Sequence, residues 1–194
     1  MNLLEWTAAV AGAVSVYLGT RQNIWSWPTA IVNVALYTIV FGRTGLYADA
    51  GLQVVYLVLS VYGWYAWLHG GRNRTALRVS HASLRVWLVT MSIAAVFWWL
   101  LADFIAAQPG VSLPHLDAAL ATVSLVAQWM MTRKLLENWL LWIAVDLVYV
   151  PMYVYKHLPV TAALYTVFLA LAVLGYRDWR RSHRQDAAQL APAC

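Results

Sequence analysis

Apolar positions along the chain are gathered into runs separated by short polar stretches. The runs cover about 3–19, 26–42, 46–68, 84–107, 116–132, 138–155 and 159–176. Each is close to the roughly 17 to 25 residues a helix needs to cross about 30 Å of hydrocarbon. The most polar interval, His69 to Ser83, divides the third run from the fourth. This pattern predicts an all-α polytopic membrane protein with seven transmembrane helices.

The chain also repeats itself. Shifting residues 20–67 by 112 positions lays them on 132–179 without a gap, with 14 identities in 48 positions. Thr20-Arg21 falls on Thr132-Arg133, Trp27 on Trp139, Tyr37 on Tyr149, Gly63 on Gly175 and Trp67 on Trp179. Apolar residues match easily by chance; tryptophan, glycine and arginine do not. The expected plan is a parallel 3+1+3 repeat: repeat one about 3–68, a linker helix about 84–107 and repeat two about 116–180. A single linker helix gives both halves the same orientation, and carriers of this plan hold their site where the halves meet. The whole is one transmembrane domain over 1–184, with 185–194 expected as a disordered tail.

Composition agrees: 62% of residues are hydrophobic and 11% charged, against about 25% charged in a soluble domain. The net charge of +5 points to orientation rather than to nucleic acid. Eleven of the thirteen Lys and Arg residues fall at one set of helix ends, and only Arg43 and Lys156 at the other. Basic ends stay in the cytoplasm. The C-terminus is therefore expected inside and the N-terminus outside a bacterial inner membrane, with the first run a retained span.

Polar groups inside such helices need a reason, because a carboxylate at the bilayer centre costs about 2.5–3.5 kcal/mol on insertion scales. Asp146 stands near the middle of the sixth run. Trp139, Trp142, Asp146, Tyr149 and Tyr153 follow spacings of 3, 4, 3 and 4, which place two indoles, a carboxylate and two phenols on one helix face. Asp49, Gln53, Tyr56 and Ser60 align the same way on the third helix, and Asn33 with Tyr37 on the second. Gln128 lies in the inner half of the fifth. Each amide could equally bind a neighbouring helix. Aromatic faces and an acid together suit a planar cation. Of the twelve tryptophans, Trp25, Trp27, Trp64, Trp67, Trp87, Trp129, Trp139 and Trp179 sit at basic helix ends, where most are expected to form an anchoring belt. Trp142, Trp98 and Trp99 lie deeper. Pro151 removes one backbone donor just beyond Asp146 and is a candidate hinge.

Other chemistries lack their residues. The five histidines lie in loops or at helix ends, so none could pair within the membrane to hold haem or a metal. The sequence holds no phosphate-binding glycine loop or metalloprotease motif, and its single Cys194 allows no intrachain disulfide. No cofactor and no enzymatic activity are expected, and the oligomeric state stays open.

The stretch Met131-Thr132-Arg133-Lys134-Leu135-Leu136-Glu137-Asn138-Trp139-Leu140-Leu141-Trp142 resembles the sixth-helix signature of the PnuC family of vitamin transporters. Leu46-Tyr47-Ala48-Asp49-Ala50-Gly51-Leu52-Gln53 and Tyr62-Gly63-Trp64-Tyr65-Ala66-Trp67 are similar to that family as well. The likeness runs from about residue 8 to 180. It implies a seven-helix bundle related to the SWEET sugar carriers and facilitated uptake of nicotinamide riboside, with thiamine or riboflavin carried by relatives. It also implies a cytoplasmic vitamin kinase that makes uptake one-way. Family positions for ring binding fall on Trp139, Trp142 and Asp146, and in the first half on Asn33 and Gln53. Nicotinamide riboside members carry asparagine where this chain has Asp146. An ionised carboxylate only accepts hydrogen bonds, which suits either cationic vitamin and leans towards the amino group of thiamine. Nicotinamide riboside is expected first, thiamine second. A sugar carrier, or a membrane enzyme or sensor, remains a further alternative.

Overall fold

The computed structural model describes residues 3–43, 47–107, 113–155, 157 and 159–190. Lys156 and the final residues with Cys194 lie outside the described residues. Seven helices are present among the described residues: α1 (Leu3–Thr20), α2 (Ser26–Arg43), α3 (Tyr47–His69), α4 (Leu84–Ala106), α5 (Pro114–Thr132), α6 (Asn138–Tyr155) and α7 (Pro159–Leu190). Their bounds agree with the apolar runs to within a residue or two, except at the last. There α7 continues through Leu190, into the segment expected as a disordered tail from 185. Contacts beyond the apolar run hold it: Arg21 pairs with Asp178 at 3.4 Å, and His183 Nδ1 lies 3.0 Å from the Val79 carbonyl.

Among the described residues four helices are long and apolar enough to cross a membrane: Asp49–His69, Leu84–Ala106, Asn138–Tyr155 and Pro159–Asp186. A chain with four such helices is a multi-pass membrane protein. The apolar part of α1, Trp6–Thr20, is shorter. The α2 and α5 helices carry Asn33, Ser124 and Gln128 on the inside of the bundle, which lowers their apolar content.

Helix packing forms a closed ring. The α2 helix sits between α1 and α3, and α6 between α5 and α7; α1 packs on α7 and α3 on α5. Among the described residues the α4 helix packs chiefly against α5. Its outer face shows Leu88, Ile93, Val96 and Trp99, which is the arrangement of a helix solvated by lipid.

The tightest packing lies at the end of the ring that carries the arginines, called here the basic end. Trp27, Trp67, Trp139 and Trp179 are each at most 2% exposed and form one core cluster with Val79 and Leu136. These four are not an anchoring belt; they fill the interior of the bundle. Trp25, 65% exposed, keeps the belt position. Trp27 meets Trp67 edge-on at 5.2 Å between ring centroids, and Trp139 meets Trp179 the same way at 5.4 Å. Glycine makes room for the rings. A Cβ on Gly175 would stand 2.6 Å from the Trp139 ring, and one on Gly63 would collide with Trp27.

Two loops close over this cluster. The stretch after α3 bonds first to its own helix, Leu77 N donating to Trp67 O (3.0 Å), and then to the α5–α6 turn. There Ser80 N donates to Lys134 O (3.1 Å) and Leu136 N to Ser80 O (2.9 Å). Glu137 fixes the strap further, accepting from Ala82 N at 3.0 Å and lying 2.7 Å from His81 Nδ1. Within the turn, Lys134 is 7% exposed. Its ammonium stands 4.5 Å from the Trp67 ring centroid and 3.4 Å from Gln22 Oε1. Burial pushes the Lys134 amine down to about 8, and Asp186 pulls the other way.

Two outcomes follow from this packing. Gly63→Ala and Gly175→Ala each overpack a tryptophan and destabilise the protein by about 1–3 kcal/mol, read as a lower melting temperature in detergent. Gly51→Ala, where a Cβ meets nothing within 4 Å, leaves it unchanged or higher. Between about 8 and the ordinary lysine value of 10.5, the folded protein holds fewer protons than the unfolded chain. Stability therefore climbs as pH rises through that window. Melting curves of Lys134→Gln across the same window lack the climb.

Candidate functional site

Inside the six-helix ring lies a cavity of about 570 Å³, within the range of small-molecule sites. Trp27 and Trp139 line its basic end, and Asp49, Tyr153 and Thr161 its opposite end. The α6 helix supplies the wall anticipated from its spacing. Trp139, Trp142, Asp146, Tyr149 and Tyr153 all line the cavity, because spacings of 3 and 4 keep them on one face. The α3 helix contributes Asp49, Gln53, Tyr56 and Ser60, α2 contributes Asn33 and Tyr37, and α5 contributes Gln128. All nine candidate residues, Trp139, Trp142, Asp146, Tyr149, Asn33, Tyr37, Gln53, Tyr56 and Gln128, thus surround one space.

Their environments differ. Asp146 is 4% exposed and has no hydrogen bond or ion pair to a described residue. It is a buried carboxylate with an open cavity before it, a costly arrangement unless something cationic or hydrogen-bonding arrives. Asn33 is less free. Its Nδ2 donates to the Ala8 carbonyl at 2.7 Å, and a Cβ on Gly12 would stand 2.8 Å from that nitrogen. Its amide ties α2 to α1, leaving Oδ1 as the atom open to other partners. Tyr56 and Ser124 of α5 both line the cavity.

Aromatic rings build the half of the cavity away from the basic end. Tyr149 stacks on Tyr153 (5.6 Å, 17°) and Tyr37 on Phe41 (5.6 Å, 21°). Tyr165 sits 4.8 Å from Tyr149 and 5.0 Å from Tyr153, with Phe168 edge-on behind it at 5.7 Å. Stacked and tilted rings of this kind present π faces to a flat ligand, and a carboxylate beside them adds attraction for a positive one.

At the basic end the cavity is closed by the tryptophan cluster. Trp67 Nε1 donates to Met131 O and Trp179 Nε1 to Gly19 O, both at 3.0 Å. The Trp67 and Trp179 rings are 5.8 Å apart. Five buried polar atoms here have no partner among the described residues: Ser26 Oγ, Trp27 Nε1, Ser60 Oγ, Asn138 Oδ1 and Trp139 Nε1. Each such atom costs about 1–3 kcal/mol.

Sequence spacing did not point to Ser26, Ser124, Tyr165 or Phe168, all of which line the cavity. Tyr165 and Phe168 could have been found, because the 112-position shift pairs them with Gln53 and Tyr56. Ser26 and Ser124 carry no such signal; small hydroxyl residues are common at helix contacts. Among the described residues no group of three or more His, Cys, Asp or Glu could hold a metal ion.

Comparison with known proteins places this architecture. The chain is 26% identical over 214 residues to the nicotinamide riboside transporter PnuC of Escherichia coli (strain K12), covering 97% of this chain and 90% of that protein. It is 30% identical over 183 residues to the riboflavin/roseoflavin transporter RibM of Streptomyces davaonensis, covering 92% of this chain and 84% of that protein. A crystal structure of the vitamin B3 transporter PnuC superposes with a TM-score of 0.73 at 25% identity, covering 94% of this chain and 82% of that one. A family model described as nicotinamide mononucleotide transporter matches residues 2–181, and the chain belongs to that family.

Proposed function

We propose that the protein is a membrane transporter that carries nicotinamide riboside across the membrane by alternating access. The observation that carries this reading is Asp146, an unpaired buried carboxylate facing an aromatic-walled cavity large enough for a nucleoside. A pyridinium ring supplies the missing charge, and the rings of Trp142, Tyr149 and Tyr165 supply faces for it to lie on. Gln53 and Gln128 offer amides to the carboxamide or sugar. The PnuC relatives named for nicotinamide riboside favour this vitamin among cationic candidates. Thiamine is the second reading, because its amino group could donate to Asp146. Uncharged riboflavin gains least from the carboxylate.

In this proposal α1–α3 and α5–α7 are parallel repeats of a SWEET-like 3+1+3 bundle, with α4 as linker. Matching contacts at positions 112 apart support it. The donors Trp67 and Trp179 are so related, as are their acceptors Gly19 and Met131. Gln22 and Lys134 are related too, and both are turn residues with positive φ, 53° and 49°. Rocking of the halves about the cavity would open each end in turn. The basic end faces the cytoplasm of a bacterium, the C-terminus lies inside and the N-terminus outside. Transport is facilitated diffusion through a non-enzymatic carrier, drawn inward by a cytoplasmic kinase that consumes the vitamin.

Calorimetry on the purified protein tests the substrate. Nicotinamide riboside binds, and Asp146→Ala weakens it by roughly tenfold or more, the worth of a hydrogen bond to a charged group. Unchanged affinity in that variant removes Asp146 from the site, and binding of thiamine alone moves the assignment to thiamine. Cys194, the chain's one cysteine, tests orientation. A membrane-impermeant thiol reagent fails to label it in intact cells and labels it after lysis; the reverse would invert the topology.

A further inference from the structure

Three of the unpartnered polar atoms belong to residues that line one corner of the cavity. Ser26 begins α2, Trp27 follows it, and Ser60 stands on α3 one turn before Gly63, the glycine on which the Trp27 ring packs. Ser26 Oγ, Ser60 Oγ and Trp27 Nε1 are sealed from water and bonded to nothing described. The Ser26 carbonyl is already engaged, accepting from Ser15 Oγ at 2.8 Å, so only its hydroxyl is idle. Buried polar groups are satisfied in the great majority of cases, and three idle ones beside a ligand cavity point to a partner that arrives with the ligand.

At the related corner of the second half Asn138 Oδ1 and Trp139 Nε1 are unpartnered too, so that corner tells only whether the packing itself needs the serine of α3. Positions 112 later are Asn138, Trp139 and Ala172. There the serine of α3 is replaced by alanine, and Gly175 still accommodates Trp139. Packing of the tryptophan on the glycine therefore does not need the Ser60 hydroxyl.

We propose that Ser60 and Ser26, together with the indole N–H of Trp27, form a subsite for the hydroxyl groups of the substrate's sugar, engaged when the basic end of the cavity loosens. The proposal rests on the nucleoside reading above and deepens it. Serine hydroxyls both donate and accept and the indole donates, which matches neutral vicinal hydroxyls rather than a charged ring. Along α6 the distance fits. Asp146 lies seven residues from Trp139, about 10 Å at 1.5 Å per residue, and Trp139 shares one buried cluster with Trp27, so a ribose attached to a flat ring at Asp146 extends towards that layer. Asp146 and its aromatic neighbours hold the ring; the serines read the sugar.

The test compares nicotinamide riboside with 1-methylnicotinamide, which carries the same charged ring with a methyl group in place of the sugar. Binding is measured by calorimetry, or by displacement for the weaker ligand, on the full-length protein. Ser60→Ala weakens nicotinamide riboside about three- to tenfold, the range of a single hydrogen bond, and moves 1-methylnicotinamide less than about twofold. The same substitution raises the melting temperature of the ligand-free protein, because it removes an unpaired buried hydroxyl. Ser26→Ala acts in the same direction. Equal losses for both ligands, an unchanged affinity for nicotinamide riboside, or a lower melting temperature each overturn the subsite. Failure of the unaltered protein to bind nicotinamide riboside overturns the nucleoside reading and the subsite with it; binding that Ser60→Ala does not disturb overturns the subsite alone.

Discussion

Two indole N–H groups hold the halves of this molecule together, and most of the architecture follows from where they reach. The last carbonyls of a helix lack intrahelical partners. Gly19 and Met131 stand one residue before the ends of α1 and α5, and each accepts an indole from the other half of the ring. The same two carbonyls also accept from Gln22 N and Lys134 N, which turn the chain out of the helix. A single pair of acceptors therefore ends two helices, sets two turns and joins two three-helix groups. With the indoles fixed, their rings stack inward, glycines clear space for Trp27 and Trp139, and the basic end of the cavity is closed.

The sequence match at 112 positions extends to frame contacts but only partly to the cavity. Asp146 corresponds to Val34, Gln53 to Tyr165, Asn33 to Val145 and Ser60 to Ala172. Contacts that hold the frame recur at both positions, and so do the cavity-facing pairs Trp27/Trp139 and Tyr37/Tyr149, while the charged and amide residues facing the cavity differ. The lining is therefore asymmetric: Asp146 faces in from α6 where the related position on α2, Val34, is apolar.

Much of this was legible in the residues. Helix bounds followed from apolar runs because only a continuous helix satisfies its own backbone in lipid. The α6 face and the α3 face were legible because helical spacing fixes which side chains share a side. The sequence groups Trp27, Trp67 and Trp179 with an anchoring belt and divides Trp139 between belt and site, since amphipathic rings at helix ends serve both purposes; all four are buried in one cluster. Asn33 illustrates a second limit. Its position facing the cavity was legible, but the bond to Ala8 depends on how closely α1 approaches, which no spacing along α2 encodes. The helical course of α7 past residue 184 follows no apolar run, so hydropathy does not mark it.

The strap after α3 sets a mechanical limit on the whole. It is fastened to α3 at Leu77 and to the α5–α6 turn at Ser80. Three residues of chain join those two points, and three residues at full extension reach about 10 Å. Trp67 and the turn at Lys134 are thus joined by a leash of fixed length. Any opening at that seam is bounded by the leash, unless backbone bonds break first.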